Sequence, residues 1–329
     1  MNNKVYCVMQ DKSRLIWAGT FLGVSMFEPE AKIEHYKSAP YNNIGLNENI
    51  IHGIYQDDEG LLWVGTNNSG VNIIDRDNDR IYDFSDICNN EGLSSNGINQ
   101  ISGHKNYIFI STDNGLNVYD KNTKAVKVYN VKDGLNAKRI RNTMYDKDGI
   151  VWIGTSGGLN KLDRKTEEFV SYTTLDGLPN NTVYGIVIDN NGDLWMSTNG
   201  GLSKFDPVNK TFHNLDVTDG IQSNEFNGHS YAKLKNGDLI FGGINGLNIF
   251  NPDKIMSTTY MPSVEFSTFK VNGKEVSDEW YPITENSIIF SNLKSGIYTF
   301  RIKAKNSLGE YSEENSLKFT IKKKEFLLC

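Results

Sequence analysis

Polar and aromatic residues recur in this chain at one kind of place, the few residues that lead into an apolar, strand-like run. They are Asn47 and Asn49, Asn96, Lys138-Arg139-Ile140-Arg141, Asn181 and Tyr184, and Asn224-Glu225-Phe226-Asn227. Three more, Asn67, Asp113 and Asn199, sit in short turns. Amides, an arginine pair and aromatic rings are the groups that hydrogen-bond hydroxyls and stack on a small polar ligand such as a sugar. Asn also favours turns for its own sake, because its side chain bonds the local backbone, so each position has a structural reading beside the binding one.

Catalytic and metal chemistry is harder to place. The five histidines, His35, His52, His104, His213 and His229, show no His-x-x-x-His spacing and no Ser/His/Asp arrangement. An enzyme would need such groups to converge on one face, for instance His229 with Glu225 beside His52. Asp75-Arg76-Asp77-Asn78-Asp79 resembles the start of a calcium loop, but Arg80 stands where that loop needs Gly and Asp86 where it needs Glu, which favours a solvated turn. Cys7, Cys88 and Cys329 are odd in number and lack Cys-x-x-Cys spacing, supporting neither a disulfide framework nor a zinc site. No catalytic residue, metal or cofactor is assigned. A net charge of −6 argues against nucleic acid as a partner, since that binding rests on neutralising phosphates with Lys and Arg.

The elements that position these residues come from an internal repeat. Trp17-Ala-Gly-Thr20, Trp63-Val-Gly-Thr66, Phe109-Ile-Ser-Thr112, Trp152-Ile-Gly-Thr155, Trp195-Met-Ser-Thr198 and Ile240-Phe-Gly-Gly243 are six copies of one phrase. Each runs into a turn glycine, and those glycines, at 23, 70, 115, 158, 201 and 246, lie 43 to 47 residues apart. A period in the forties with strand-like content predicts a β-propeller of four-stranded blades. In the fifth copy, Thr182–Ile188 reads as the first strand, Asp193–Thr198 as the second, Gly201–Asp206 as the third and Thr211–Leu215 as the fourth, joined by Asp/Asn/Gly turns.

By that pattern the blades span 4–38, 49–85, 97–130, 138–174, 181–216 and 226–251, the last short of its fourth strand. Because stacked blades bury both faces of the second strand, the tryptophans read as core anchors, with the small residue two positions on leaving room for close approach. If first strands are innermost, the loops entering them share one face with the Gly turns, and the Asp-rich turns share the other. Blade two stands out for a turn one residue longer.

With 329 residues, 38% of them hydrophobic, and 30 glycines, the chain is a strand-and-turn protein able to bury a full core. It has no apolar run long enough for a transmembrane helix and no signal-peptide pattern, so as written it is expected to be soluble. The ending Lys322-Lys-Lys-Glu-Phe-Leu-Leu-Cys329 reads as a truncated tail of a longer protein.

Asp57-Asp-Glu-Gly-Leu-Leu-Trp-Val-Gly-Thr66, Asp146-Lys-Asp-Gly-Ile-Val-Trp-Ile-Gly-Thr155 and Asp189-Asn-Asn-Gly-Asp-Leu-Trp-Met-Ser-Thr198, with the linkers Glu91-Gly-Leu93, Asp133-Gly-Leu135, Asp176-Gly-Leu178 and Asp219-Gly-Ile221, resemble the two-component regulator propeller repeat. Blade three, with Phe109 for Trp and a shortened first turn at His104-Lys-Asn106, and blade six, with Ile240 for Trp and Gly243 for Thr, depart from the pattern. Val264–Val276 and Asn292–Asn306 resemble the two ends of a Y_Y_Y domain, a fibronectin-like β-sandwich, with the middle missing. The expected organisation is an all-β chain: a propeller over 1–255, six blades recognisable within a ring that could hold seven, a partial Y_Y_Y domain over 260–323 and a tail at 324–329.

The resemblance implies an extracytoplasmic, non-catalytic sensing module of a membrane-bound histidine kinase, hybrid regulator or diguanylate cyclase. Its implied partners are a small polar ligand, with an oligosaccharide as one candidate, the rest of the receptor and, as an open option, a second copy of the chain. A propeller lyase or hydrolase with a site over the channel, and a plain protein-interaction scaffold, remain as alternatives.

Overall fold

The computed structural model describes residues 4–28, 33–38, 45–89 and 92–255, and beyond them the strands at 270–271, 289–290, 295–302 and 315–321. The chain divides into two compact units, Met1–Met256 and Ser257–Cys329. In the first, five four-stranded antiparallel meanders and one of three strands follow each other in sequence order. The innermost strands are Val5–Gln10, Ile51–Gln56, Ile98–His104, Ile140–Tyr145, Val183–Ile188 and Phe226–Lys233. Each packs against the next, and the first also touches the last, most lightly, so that the six ring a common axis. Blade six ends with Gly246–Phe250 and passes into a short helix, Pro252–Ile255, in place of a fourth strand.

The repeated phrase has a bonding reason. Trp17, Trp63, Trp152 and Trp195 are buried, and each indole Nε1 donates to the carboxylate six residues earlier, on Asp11, Asp57, Asp146 and Asp189, at 2.8 to 3.0 Å. The other oxygen of each carboxylate accepts the backbone N–H that opens the second strand, on Leu15, Leu61, Ile150 and Asp193. One side chain thus closes the first hairpin and satisfies the anchor that hairpin must bury. The repeat Thr closes the next turn: Thr20, Thr66, Thr112, Thr155 and Thr198 donate through Oγ1 to the carbonyl of the turn glycine at 2.8 to 3.0 Å. Asp75–Asp79 is likewise a turn, in which the Asp75 carboxylate accepts from the backbone and side chain of Asn78.

Between blades, the Asp-Gly-Leu linkers form short 3-10 turns closed by reciprocal caps, as at Asn130 with Asp133 and Thr173 with Asp176. Gly177 follows in the left-handed region, and the next residue, Leu178, is buried at the blade interface. The second-strand anchors of blades one to five face forward: Trp152 and Leu159 of blade four, for example, pack on Val183, Ile186, Leu194 and Met196 of blade five. The small residue of the phrase lets the first strand of the following blade come close, and a Cβ on Gly19, Gly65 or Gly154 would run into Ile51, Ile98 or Val183.

Among the described residues, five apolar clusters fill the five interfaces from blade one to blade six. The seam between blades six and one is different. Leu202 of blade five is 0% exposed, yet its counterpart Leu247 is 59% exposed. On the other side of the seam, Val5 and Val8 are 50% and 63% exposed, where their counterparts Val183 and Ile186 in blade five are both 0%. Blade six therefore keeps its trailing face, and blade one its leading face, in contact with solvent.

In the second unit, Gly296–Ile302 pairs antiparallel with Asn315–Ile321, and Lys270–Val271 pairs parallel with Ile289–Phe290. Most of the expected Y_Y_Y region, including the stretch 272–276, and the tail at 324–329 lie outside the described residues.

The unequal packing predicts unequal costs. Leu202→Ala should lower the unfolding free energy by about 2–5 kcal/mol, and Leu247→Ala by no more than about 0.5 kcal/mol, as measured by denaturant titration. Equal losses would mean that Leu247 is packed as tightly as its counterpart.

Candidate ligand-binding site

Every innermost strand carries an irregularity at the same step. Residues 5 and 7, 51 and 53, 98 and 100, 140 and 142, and 183 and 185 pair with consecutive residues of the second strand, so one residue between them has no partner. Those bulged residues are Tyr6, His52, Asn99, Arg141 and Tyr184. Bulges re-aim side chains, and here five of them point to the axis and line one cavity of about 420 Å³. In blade six the bulge is larger: Phe226 pairs with Gly243 and Tyr231 with Phe241, so Asn227, Gly228, His229 and Ser230 stand out and complete the wall. His229 adopts a positive φ of 61°, uncommon for a residue other than glycine, which fits a residue held where the bulge puts it.

Packing fixes the polar groups. Tyr6 meets the His52 ring edge-on at 5.0 Å, and His52 lies 6.3 Å from His229, centroid to centroid. The Arg141 guanidinium sits 4.8 Å from the centre of the Tyr184 ring. Arg139 is held by Asp113, Nε to Oδ1 at 3.0 Å, and donates to Asn99 Oδ1 at 3.2 Å; Asn99 in turn donates to Asp113 at 2.9 Å. Arg141 Nε is buried without a hydrogen-bond partner among the described residues. One residue deeper, Tyr231 fills the axis: it accepts from Asn142, and its ring occupies the space a Cβ on Gly185 would need.

Burial sets the protonation states. It drops His229 from 6.5 to about 4, with His52, Arg141 and Arg139 adding to the effect, and it lowers His52 as well. Burial likewise pushes the Tyr231 phenol up and the nearby Cys7 thiol up to about 12. At neutral pH the cavity holds two neutral imidazoles and two guanidinium groups, one of them paired with a carboxylate.

Of the residues singled out from the sequence, Arg139, Arg141 and Tyr184 line the cavity, and Asp113 braces Arg139 at its edge. The others stay outside the cavity, in the loops that enter the blades, in the Gly turns or, for Phe226, at the start of a strand. The carbonyls of Asn49, Asn96 and Asn224 accept the turn-glycine N–H of the preceding blade, from Gly23, Gly70 and Gly201. The side-chain oxygens of Asn49, Asn181 and Asn224 accept the backbone N–H of Ser38, Thr174 and Val217. Asn47 bridges Ser69 and Asp83, Asn67 bonds through its backbone to Ile50, Asn199 is exposed in its turn, and Phe226 is buried against Phe241. Among the described residues no group of three His, Cys, Asp or Glu side chains could hold a metal ion, and no helix is long and apolar enough to cross a membrane.

Tyr6, His52, Asn99 and His229 complete the site; Tyr6 and Asn99 were not singled out from the sequence, and His52 and His229 were named there only as part of a conceivable enzyme cluster with Glu225. The signal for the first three was a polar or aromatic residue directly after the first apolar residue of each opening strand, as in Val5-Tyr6, Ile51-His52 and Ile98-Asn99.

The unfolded chain takes up the His229 proton near pH 6.5 and the folded chain only near 4. The stability that depends on the neutral form is therefore complete above about pH 6.5 and is lost as the pH falls through that window. His229→Asn should flatten the fall in melting temperature between pH 7 and pH 4.5. An unchanged slope would show that His229 is not the buried base described here.

Two-component regulator propeller models match residues 45–68, 134–157 and 177–200, and a Y_Y_Y domain model matches residues 269–322. No curated protein matches the chain. Among solved structures, the extracellular domain of the proposed hybrid two component system BT3049 from B. thetaiotaomicron is 24% identical, with a TM-score of 0.78, over 97% of this chain and 50% of that one. The extracellular domain of the proposed one component system BT4673 from B. thetaiotaomicron is 18% identical, with a TM-score of 0.63, over 98% of this chain and 56% of that one. PorZ, a bacterial surface component of the type-IX secretion system of Porphyromonas gingivalis, is 15% identical, with a TM-score of 0.57, over 97% and 51%. The chain thus spans about half the length of these structures, and at such identities the likeness is one of fold. The chain is therefore similar to the two-component regulator propeller repeat on blades two, four and five and to the Y_Y_Y domain after the blades.

Proposed function

We propose that this chain is the ligand-sensing module of a membrane-bound two-component receptor, acting outside the cytoplasm, and that it binds a small polar ligand of glycan type in the axial cavity without converting it. The observation that carries this reading is the ring of bulges. Six blades that otherwise repeat an apolar packing pattern each lend the axis one or more side chains, and the six main positions hold four kinds of residue: Tyr6 and Tyr184, His52 and His229, Asn99, Arg141. Packing between blades does not require that variety, whereas recognition of a hydroxyl-rich molecule uses ring faces, amides and charged donors together. The volume of about 420 Å³ suits a mono- or disaccharide. The extracellular domains that share the fold support the receptor setting.

The His52–His229 pair favours a second reading, a lyase or hydrolase, because two neutral imidazoles could exchange a proton with a bound substrate. Against it, Glu225 is not in the cavity wall, and the carboxylate at the edge, Asp113, is engaged by Arg139 and Asn99.

One experiment separates the two. The purified chain is titrated with glycan fragments by calorimetry and the mixtures are then analysed for product. The sensing reading expects binding without turnover, weakened about tenfold or more by Tyr6→Ala or Tyr184→Ala, as for loss of a stacking or anchor contact. Turnover abolished by His229→Asn would replace it with the enzyme reading, and binding indifferent to both tyrosine variants would move the site off the axis.

A further inference from the structure

Resting on the axial reading, we infer that the ligand is anionic: the cavity is built to seat a carboxylate or sulfate group of a sugar-sized molecule against Arg141, with His229 and His52 as additional donors.

The charge inventory carries the argument. The side chains that line the cavity include two arginines, two histidines and no carboxylate. Arg139 already has its counter-charge in Asp113 at 3.0 Å. Arg141, two residues on and itself the bulged residue of blade four, makes no ion pair among the described residues, and its buried Nε has no hydrogen-bond partner there. A buried donor without a partner costs about 1–3 kcal/mol, more when charged, and native structures rarely keep one without a reason. The Tyr184 ring beneath the guanidinium compensates the charge in part but uses none of its N–H donors. What remains is a planar fork of donors facing a cavity, the arrangement that pairs two-pronged with a carboxylate or sulfate.

The histidines add proton linkage. His229 is faced by His52 from blade two and by Arg141 and Arg139 from blade four, and every one of these groups disfavours a second positive charge there. His52 feels, besides Arg139, the carboxylates of Glu48 and Asp113. Seating an anion among them reverses the local sign and raises both imidazoles toward protonation, each then gaining an N–H to donate. Binding therefore takes up protons, and affinity rises as the pH falls. Tyr6 and Tyr184 are placed to take the ring of a sugar, which distinguishes this cavity from a site for a bare inorganic ion.

The test uses the whole chain at constant ionic strength, titrated by calorimetry with galacturonate against galactose, with N-acetylglucosamine 6-sulfate against N-acetylglucosamine, and with inorganic sulfate. The expected result is that at least one acidic sugar binds about tenfold or more tightly than its neutral partner, as befits a charge-assisted pair. Which acid is preferred identifies a carboxylate or a sulfate ester as the natural group. Arg141→Gln should abolish that preference and Arg141→Lys restore part of it, with melting curves confirming that both fold. Affinity should rise between pH 7.5 and pH 5.5 in the unaltered chain, and this dependence should be absent in the His52→Asn/His229→Asn double variant; that measurement stands even where Arg141→Gln does not fold.

Neutral and acidic sugars binding alike, both weakened by Tyr6→Ala and Tyr184→Ala, would overturn the anionic inference and leave the axial site standing. Acidic sugars binding with no response to Arg141 or to either tyrosine would overturn both. Binding of no acidic sugar and of no sulfate at pH 5.5 would overturn the inference as well.

Discussion

Four buried indole N–H groups each end on a carboxylate six residues earlier in the chain, and the propeller depends on that bond. A blade buries both faces of its second strand, so the anchor must be large and apolar, yet Trp brings a donor that cannot be left bare. An Asp that also closes the preceding hairpin meets the need at no extra length. Asp and Trp vanish together in the two exceptional blades. Blade six has Leu234 and Ile240 in their places. Blade three has a shortened turn and Phe109, against whose strand Arg164 of blade four lies 3.6 Å from the Tyr107 ring centre. An apolar anchor needs no carboxylate, and a carboxylate without its indole would be a buried charge lacking a partner.

Where the repeat is strict the chain packs, and where it slips the chain acquires chemistry. A bulge costs one or two ladder hydrogen bonds and turns one side chain out of the sheet. Because the slip falls at the same step in every blade, the turned residues meet at the axis. Blade six, freed from the Asp–Trp constraint, slips furthest and delivers His229. The arrangement leaves a cationic, partly unsatisfied pocket at the centre of a chain whose net charge is −6, so the local field there runs against that of the whole molecule.

The seam follows from the same packing rule. Each blade offers a trailing face built around its anchor and a leading face built around its first strand, and five interfaces consume five of each. The sixth pair, Leu247 on one side and Val5 and Val8 on the other, keeps its apolar character while exposed. These residues match their buried counterparts in type, and so the exposure comes from the geometry of the ring and not from a change of sequence.

Much of the fold was legible in the sequence. The 43-to-47-residue period, the Asp-x-x-Gly turns and the Trp-x-Gly-Thr phrase are local, and local rules of turn and alternation place them; the missing fourth strand of blade six could be read from Asn251-Pro252 in the same way. The site was legible only in part. Arg139, Arg141 and Tyr184 were visible as polar residues at the mouth of a strand, but so were Asn49, Asn96, Asn181 and Asn224, whose amides and carbonyls are spent on the loops themselves. Composition could not separate the two groups, because the difference lies in register: a one-residue slip in pairing decides whether a side chain faces a neighbouring blade or the axis. Register is set by the second strand, and convergence by six strands spread along the chain from Val5 to Lys233. The sequence by itself determined the repeat, its blades and the anchors that hold them, since those depend on neighbours within a hairpin. Only the tertiary structure decided which residues meet, because the axis is a place that no single blade contains.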